Sequence, residues 1–215
     1  MNKQPVISYL GLFVPTNQSL LKESLDDSSK PLIVEGVVQR AGSKNQNGRI
    51  YPFEILKREV DKYVKSSIAE NRALGELDHP ESSIINLKNV SHNIKKLWWE
   101  GEDLMGQIEI LCDRPGVPGT PSGNILRTLF KNNITVGISS RGMGSVQSLG
   151  EGTVEVQDDF DLLCWDFVST PSTHGAFVKP INESFNPDLV SKYENVDFLV
   201  RDILCTLNGT CFVKK

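Results

Sequence analysis

No apolar run in the chain approaches the about 20 residues of a membrane span, so no membrane partner is expected. There is no block of Lys and Arg, and the net charge is −4, so no nucleic-acid partner is expected either. The four cysteines include no CxxC pair and the three histidines form no HExxH, leaving no support for a structural or protease-type metal site. Neither GxxxxGK[ST] nor a GxGxxG between strand and helix occurs, and no cofactor is expected. The opening residues, MNKQPVISYLGLFVPTNQ, lack the apolar stretch and small-residue cleavage site of a secretory signal. The expectation is a soluble intracellular protein.

What is present suffices for one core. With 215 residues, 39% of them hydrophobic and 23% charged, the chain is too apolar for a disordered one. Residues 5–14 read as an opening strand, 15–31 as a loose polar connection, and 32–42 as a buried strand of continuous β-branched character. Beyond the Asn47-Gly48 turn the period changes. Phe53, Leu56, Val60, Tyr63, Val64 and Ile68 recur at helical spacing after Pro52, which predicts an amphipathic helix. Residues 72–80 form a short strand ending at a proline, and 93–111 a hairpin about Glu100-Gly101-Glu102-Asp103. The segment 113–123 holds three Pro and three Gly and reads as a mobile loop; 124–132 reads as a short helix.

Two more stretches, 135–146 and 154–170, give further strands, so an α+β fold with a largely antiparallel sheet or barrel is expected. After a polar hinge near residue 182, apolar residues from Leu189 to Leu207 form another helical stripe. The expected division is therefore 1–182 and a helical tail, 183–215.

Ser139-Ser140-Arg141-Gly142-Met143-Gly144 is the most unusual local sequence. A serine where a strand gives way to a glycine-rich turn can project its hydroxyl and leave backbone N–H groups free for an oxyanion. Gly142 and Gly144 suit that reading through their backbone freedom. The blander alternative is a serine-rich strand end followed by a turn. Serine needs a base; His79, fixed before Pro80, is better placed than His92, in a polar stretch expected to be exposed, or His174 in a loop-like context. A third group would hold the imidazole's tautomer. Asp166 interrupts the apolar run LLCWDFV and His174 is the alternative. Cys112 and Cys164, in apolar runs, read as buried small hydrophobes.

Five blocks in order, NGRIYPFEIL, ALGELDHP, the Trp98-Trp99-Glu100-Gly101 hairpin, GISSRGMGS and WDFVSTPS, resemble the prohead core proteases of T-even-like tailed bacteriophages. These belong with the wider phage prohead proteases and herpesvirus assemblins. The resemblance spans roughly residues 32–180. It implies an assemblin-like β-barrel flanked by helices and a serine endopeptidase acting in the prohead interior, in the bacterial cytoplasm. On its motifs His79 falls on the family's histidine and Ser139 on the nucleophile, with Asp166 as an acidic third member. Ser140 and Arg141 then support the oxyanion beside Gly142.

Substrates implied are phage scaffold or core proteins and the major capsid protein, cut after Glu in a Leu/Ile-x-Glu context; a homo-oligomer is compatible. The chain carries such a pattern at Glu183 in the hinge and Glu23 in the N-terminal connection, both candidates for autocleavage. A catalytically inactive relative serving in head assembly, or a partner-binding module, is the competing reading; a cysteine hydrolase has less support.

Overall fold

Strands that alternate inward and outward dominate the chain, and a computed structural model shows how they pair. It describes residues 6–13 (backbone only), 16–45, 47–78, 80 and 82–169. The chain separates into two units, Met1–Val178 and Lys179–Lys215, and every described residue belongs to the first. The predicted tail helix, His174 and Glu183 lie outside the described residues, as does His79.

β2 (Leu32–Arg40) alternates buried and half-buried positions, as a strand covered on one face must. β5 (Val90–Glu100) and β6 (Asp103–Ile110) form the expected hairpin, closed by Gly101 at φ 62°, a left-handed angle that glycine adopts without strain. With the short β4 (Leu74–Glu76) they make a four-stranded antiparallel sheet in the order β2-β6-β5-β4. α2 (Phe53–Tyr63) follows Pro52 and buries Leu56, Val60 and Tyr63, and a five-residue π turn, Val64–Ile68, continues it. α3 (Pro121–Lys131) begins three residues earlier than its apolar spacing predicts, because Thr120 caps it by accepting from Gly123 N at 3.0 Å and Pro121 fits the first turn.

A second sheet has the order β1-β7-β10: β1 (Val6–Phe13), β7 (Val136–Met143) and β10 (Asp161–Val168), all antiparallel. The hairpin of β8 (Val146–Gly150) and β9 (Thr153–Val156) pairs in parallel with β3 (Arg49–Ile50) in a third sheet. The α+β class and the antiparallel majority are as expected. The closed barrel is not: among the described residues the strands form three separate sheets.

Three local expectations are corrected. The supposedly loose segment 15–31 contains α1 (Gln18–Asp26), capped by Asn17 Oδ1, which accepts from Leu20 N at 3.0 Å, and anchored by buried Leu21. The Pro/Gly-rich loop is tied down. Arg114 and Val117 exchange backbone hydrogen bonds, Asp113 Oδ1 accepts from Gly119 N at 2.7 Å, and Arg127 Nη1 donates to Asp113 O at 2.6 Å. His92, expected in solvent, lies on β5 fully buried, its ring meeting that of Phe167 edge to face at 4.8 Å.

Its tautomer follows from its partners. Nε2 is 3.1 Å from the Trp165 carbonyl, which can only accept, so Nε2 carries the proton and Nδ1 accepts from Ser91 Oγ at 2.9 Å. Burial pushes its pKa down to about 4, against the opposing pull of the Asp166 carboxylate and the Trp165 carbonyl. In the unfolded chain the ring titrates near 6.5. The unfolded state therefore binds more protons between those values, and stability is lost as pH falls through that window. Relative to His92→Gln, the parent should lose about 3 kcal/mol more stability between pH 7 and pH 4 in urea unfolding. Equal losses in the two proteins would contradict this.

Candidate active site

β7 carries Ser139, Ser140 and Arg141 in its middle, paired on both edges: Ser139 faces Leu10 of β1 and Asp166 of β10, and Ser140 faces Tyr9 and Trp165. The serines are therefore not at a strand end, as the glycines suggested. Gly142 and Gly144 have ordinary φ angles and serve packing instead. A Cβ on Gly142 would lie 2.3 Å from Phe160 Cε2, and one on Gly144 2.9 Å from Phe160 Cα. A strand with ladders on both edges sends its N–H groups into them. For Ser140 N–H to meet an oxyanion, one ladder must part.

Residues directly opposite in an antiparallel pair share a face, which groups Ser139 and Arg141 with Asp166 and Cys164; a bulge between Leu162 and Cys164 sets that register. Ser139 and Ser140 are fully buried, and neither hydroxyl makes a hydrogen bond among the described residues. Leaving a buried hydroxyl unsatisfied costs about 1–3 kcal/mol, and such groups recur where they are kept for chemistry.

Beside Ser139 lies a buried ion cluster. Arg141 Nη2 donates to Glu76 Oε1 at 2.9 Å and to Asp166 Oδ1 at 3.1 Å, and Arg141 Nε is 2.8 Å from Asp166 Oδ2, an ion-pair contact outside hydrogen-bond geometry. Asp166 Oδ1 also accepts from Glu76 N at 2.9 Å. All three side chains are essentially without exposed surface. Burial works against the guanidinium's charge, but the negative charge of the Asp166 and Glu76 carboxylates, joined at high pH by a Cys164 thiolate, outweighs it and holds its pKa above the ordinary range. Burial, and then Asp166, pushes the Cys164 thiol upward, so it stays protonated. The apolar-run reading of Cys112 and Cys164 holds: both are buried.

Of the expected site residues, the structure brings Ser139, Ser140, Arg141, Gly142 and Asp166 onto two adjacent strands. The Arg141 guanidinium is committed to Glu76, Asp166 and the Ser82 carbonyl, 2.7 Å from Nη1. The segment leading to His79 runs to the same place. Leu77 bridges Phe167 in parallel, and Asp78 N donates to Phe167 O at 2.8 Å; Phe167 pairs in turn with Ile138, the neighbour of Ser139. Asp78 holds φ 69°, an unusual angle for a non-glycine residue, directly before the histidine. Sequence reading missed Glu76; its only signal is a carboxylate flanked by Gly75 and Leu77 in a strand too short to expose it. Among the described residues no acidic, histidine or cysteine cluster could hold a metal, and no helix is long and apolar enough to cross a membrane.

Comparison with known proteins places this arrangement in a class. The model of the prohead core protein serine protease family matches residues 15–186, and the chain belongs to that family: it is a peptidase of phage head maturation. The particular relatives agree. The chain is 32% identical over 150 residues to the prohead core protein protease of Enterobacteria phage T4, covering 69% of this chain and 68% of that one. The solved structure of the bacteriophage T4 capsid assembly protease, gp21, superposes with a TM-score of 0.65 at 24% identity, over 79% of this chain and all of that one, which shows the shared fold. The family read from the five sequence blocks is thus borne out.

Replacing Arg141 by Met strands two buried carboxylates and should cost roughly 3–5 kcal/mol of stability in urea unfolding. A loss below about 1 kcal/mol would show that the cluster is not buried in solution.

Proposed function

We propose that the chain is a serine endopeptidase of the prohead interior that cleaves scaffold or core proteins and the capsid precursor after Glu in a Leu/Ile-x-Glu context. One observation carries this reading: the buried hydroxyl of Ser139, without a partner among the described residues, belongs to a residue directly opposite Asp166 on the neighbouring strand. Ser139 Oγ attacks the peptide carbonyl while His79 takes its proton, giving a tetrahedral oxyanion; the same proton then goes to the leaving amine, and water deacylates the enzyme by the same route. Asp166 is the acidic third member and His174 the alternative.

Ser139 has no exposed surface. A substrate carbonyl therefore reaches Oγ only once the chain over it has parted, and the resting site is a closed one. Processing within the chain follows the same specificity. Cleavage after Glu183 releases the tail as a separate segment. Glu23 sits inside α1, where its carboxylate meets Lys30 Nζ at 2.6 Å, so cleavage there requires the helix to unwind. The matching patterns ending at Glu35 and Glu76 lie in β2 and β4 and are protected while the fold persists.

Incubation with a peptide containing an Ile-x-Glu-Ser junction tests the reading by mass-resolved digest. The parent should cut after Glu, Ser139→Ala should fall to background, and His79→Ala should lose at least about two to four orders of magnitude. Equal cleavage by parent and Ser139→Ala would move the nucleophile elsewhere, and no cleavage by a parent incubated within its core would favour the inactive head-assembly reading.

A further inference from the structure

The ion cluster reaches beyond β7 and β10. Glu76 ends β4, and the connection from β4 to β5 bears His79 in its sequence. Two hydrogen bonds tie the far side of that connection to the cluster: Arg141 Nη1 donates to the Ser82 carbonyl at 2.7 Å, and Asn86 N donates to Glu76 Oε1 at 3.0 Å. Its near side is held by Asp78 N on the Phe167 carbonyl and its end by Leu77 N on Asn89 O at 3.1 Å. The connection is otherwise open: Ser82, Asn86 and Asn89 are exposed, and so are Ile84 and Leu87, so burial of these apolar side chains does not fix its course. One guanidinium, two residues from Ser139 on the same strand, thus joins the nucleophile's strand, the aspartate's strand and the histidine's connection.

We propose that Glu76 and Arg141 are positioning residues for the peptidase reaction: they hold the β4–β5 connection, whose sequence includes His79, against the strands of Ser139 and Asp166. This deepens the assignment of His79 and Ser139 as the reacting pair and rests on it. Neither residue touches substrate. Their effect is geometric, and geometry matters steeply here because a displacement of about 1 Å at a reacting group can cost about a hundredfold in rate. Glu76 is the better handle. Its loss leaves Arg141 still paired with Asp166 and formally neutral, whereas loss of Arg141 strands both carboxylates.

The test pairs two Glu76 variants with amide hydrogen exchange in the full-length protein. Glu76→Ala, which removes the acceptor of both Asn86 N–H and Arg141 Nη2, should lower kcat by about a hundredfold while KM stays within about threefold. Glu76→Gln keeps a carbonyl oxygen for both donors and should recover to within about tenfold of the parent. In the parent, the Asn86 amide should be protected despite its exposed setting, and Glu76→Ala should release it while the β5–β6 ladder amides keep their protection. Unchanged kcat in Glu76→Ala, a loss confined to KM, or failure of Glu76→Gln to recover would each overturn the proposal. If Glu76→Ala does not fold, the parent decides alone: exchange at Asn86 as fast as in free peptide overturns the tether. The exchange arm needs no activity. A Ser139→Ala variant that still cleaves would therefore sink the site assignment and leave the tether standing.

Discussion

Arg141 sits between Glu76 and Asp166 with its side chain almost wholly out of water. Burying three charges is expensive, and removing Arg141 leaves both carboxylates uncompensated. That cost makes the arrangement specific: β4, β7 and β10 come from separate parts of the chain, and only their correct juxtaposition satisfies the cluster. The cluster also fixes which face of β7 meets β10, because a slip of one residue would turn Arg141 and Ser139 away from Asp166 together. The serine's surroundings are therefore set by the same contact that locks the strands.

The rest of the core packs around that contact. Trp165, next to Asp166, donates from Nε1 to Gln39 Oε1 at 3.2 Å and meets Tyr63 of α2 edge to face at 5.2 Å. Phe167, on its other side, meets both Phe130 of α3 and His92 of β5. β10 thus alternates between two jobs: Cys164 and Asp166 face the site, and Trp165 and Phe167 dock helices and the neighbouring sheet. Gly75 lacks a side chain because a Cβ there would fall 2.1 Å from the Trp165 carbonyl, the acceptor of His92. Close approach of neighbouring backbone and ring atoms, rather than freedom of backbone angles, explains the glycines nearest the site.

Local periodicity made much of the fold legible. The helix after Pro52, the hairpin at Gly101 and the strand of β-branched residues at 32–40 appear where their spacing placed them. α1 was hidden because a short amphipathic helix with a single well-buried leucine carries little pattern. The strand through Ser139 was read as ending early, since Gly142 and Gly144 usually signal a turn; here they make room for Phe160. In the site, Asp166 stood out as a charge in an apolar run, and burial did imply a partner. That the partner is Arg141, and that Glu76 shares it, depends on residues 25 and 90 positions away from Asp166 in the chain, which no local pattern encodes. His92 was misplaced for the same reason, its burial being set by Phe167 and Trp165 on another strand.

Ser139, on a doubly paired strand beside this cluster, is the proposed nucleophile of a phage prohead peptidase. An aryl ester of a peptidyl phosphonate ending in a glutamate analogue, added to a preparation that is cleaving substrate, tests that role: the attacking oxygen bonds the phosphorus, the aryloxide leaves with the hydroxyl proton, and the phosphonyl group stays on the residue. One adduct is expected, mapped by tandem mass spectrometry to Ser139, appearing as activity disappears. An adduct on Ser140 or any other residue, or full inhibition with Ser139 unmodified, would contradict it.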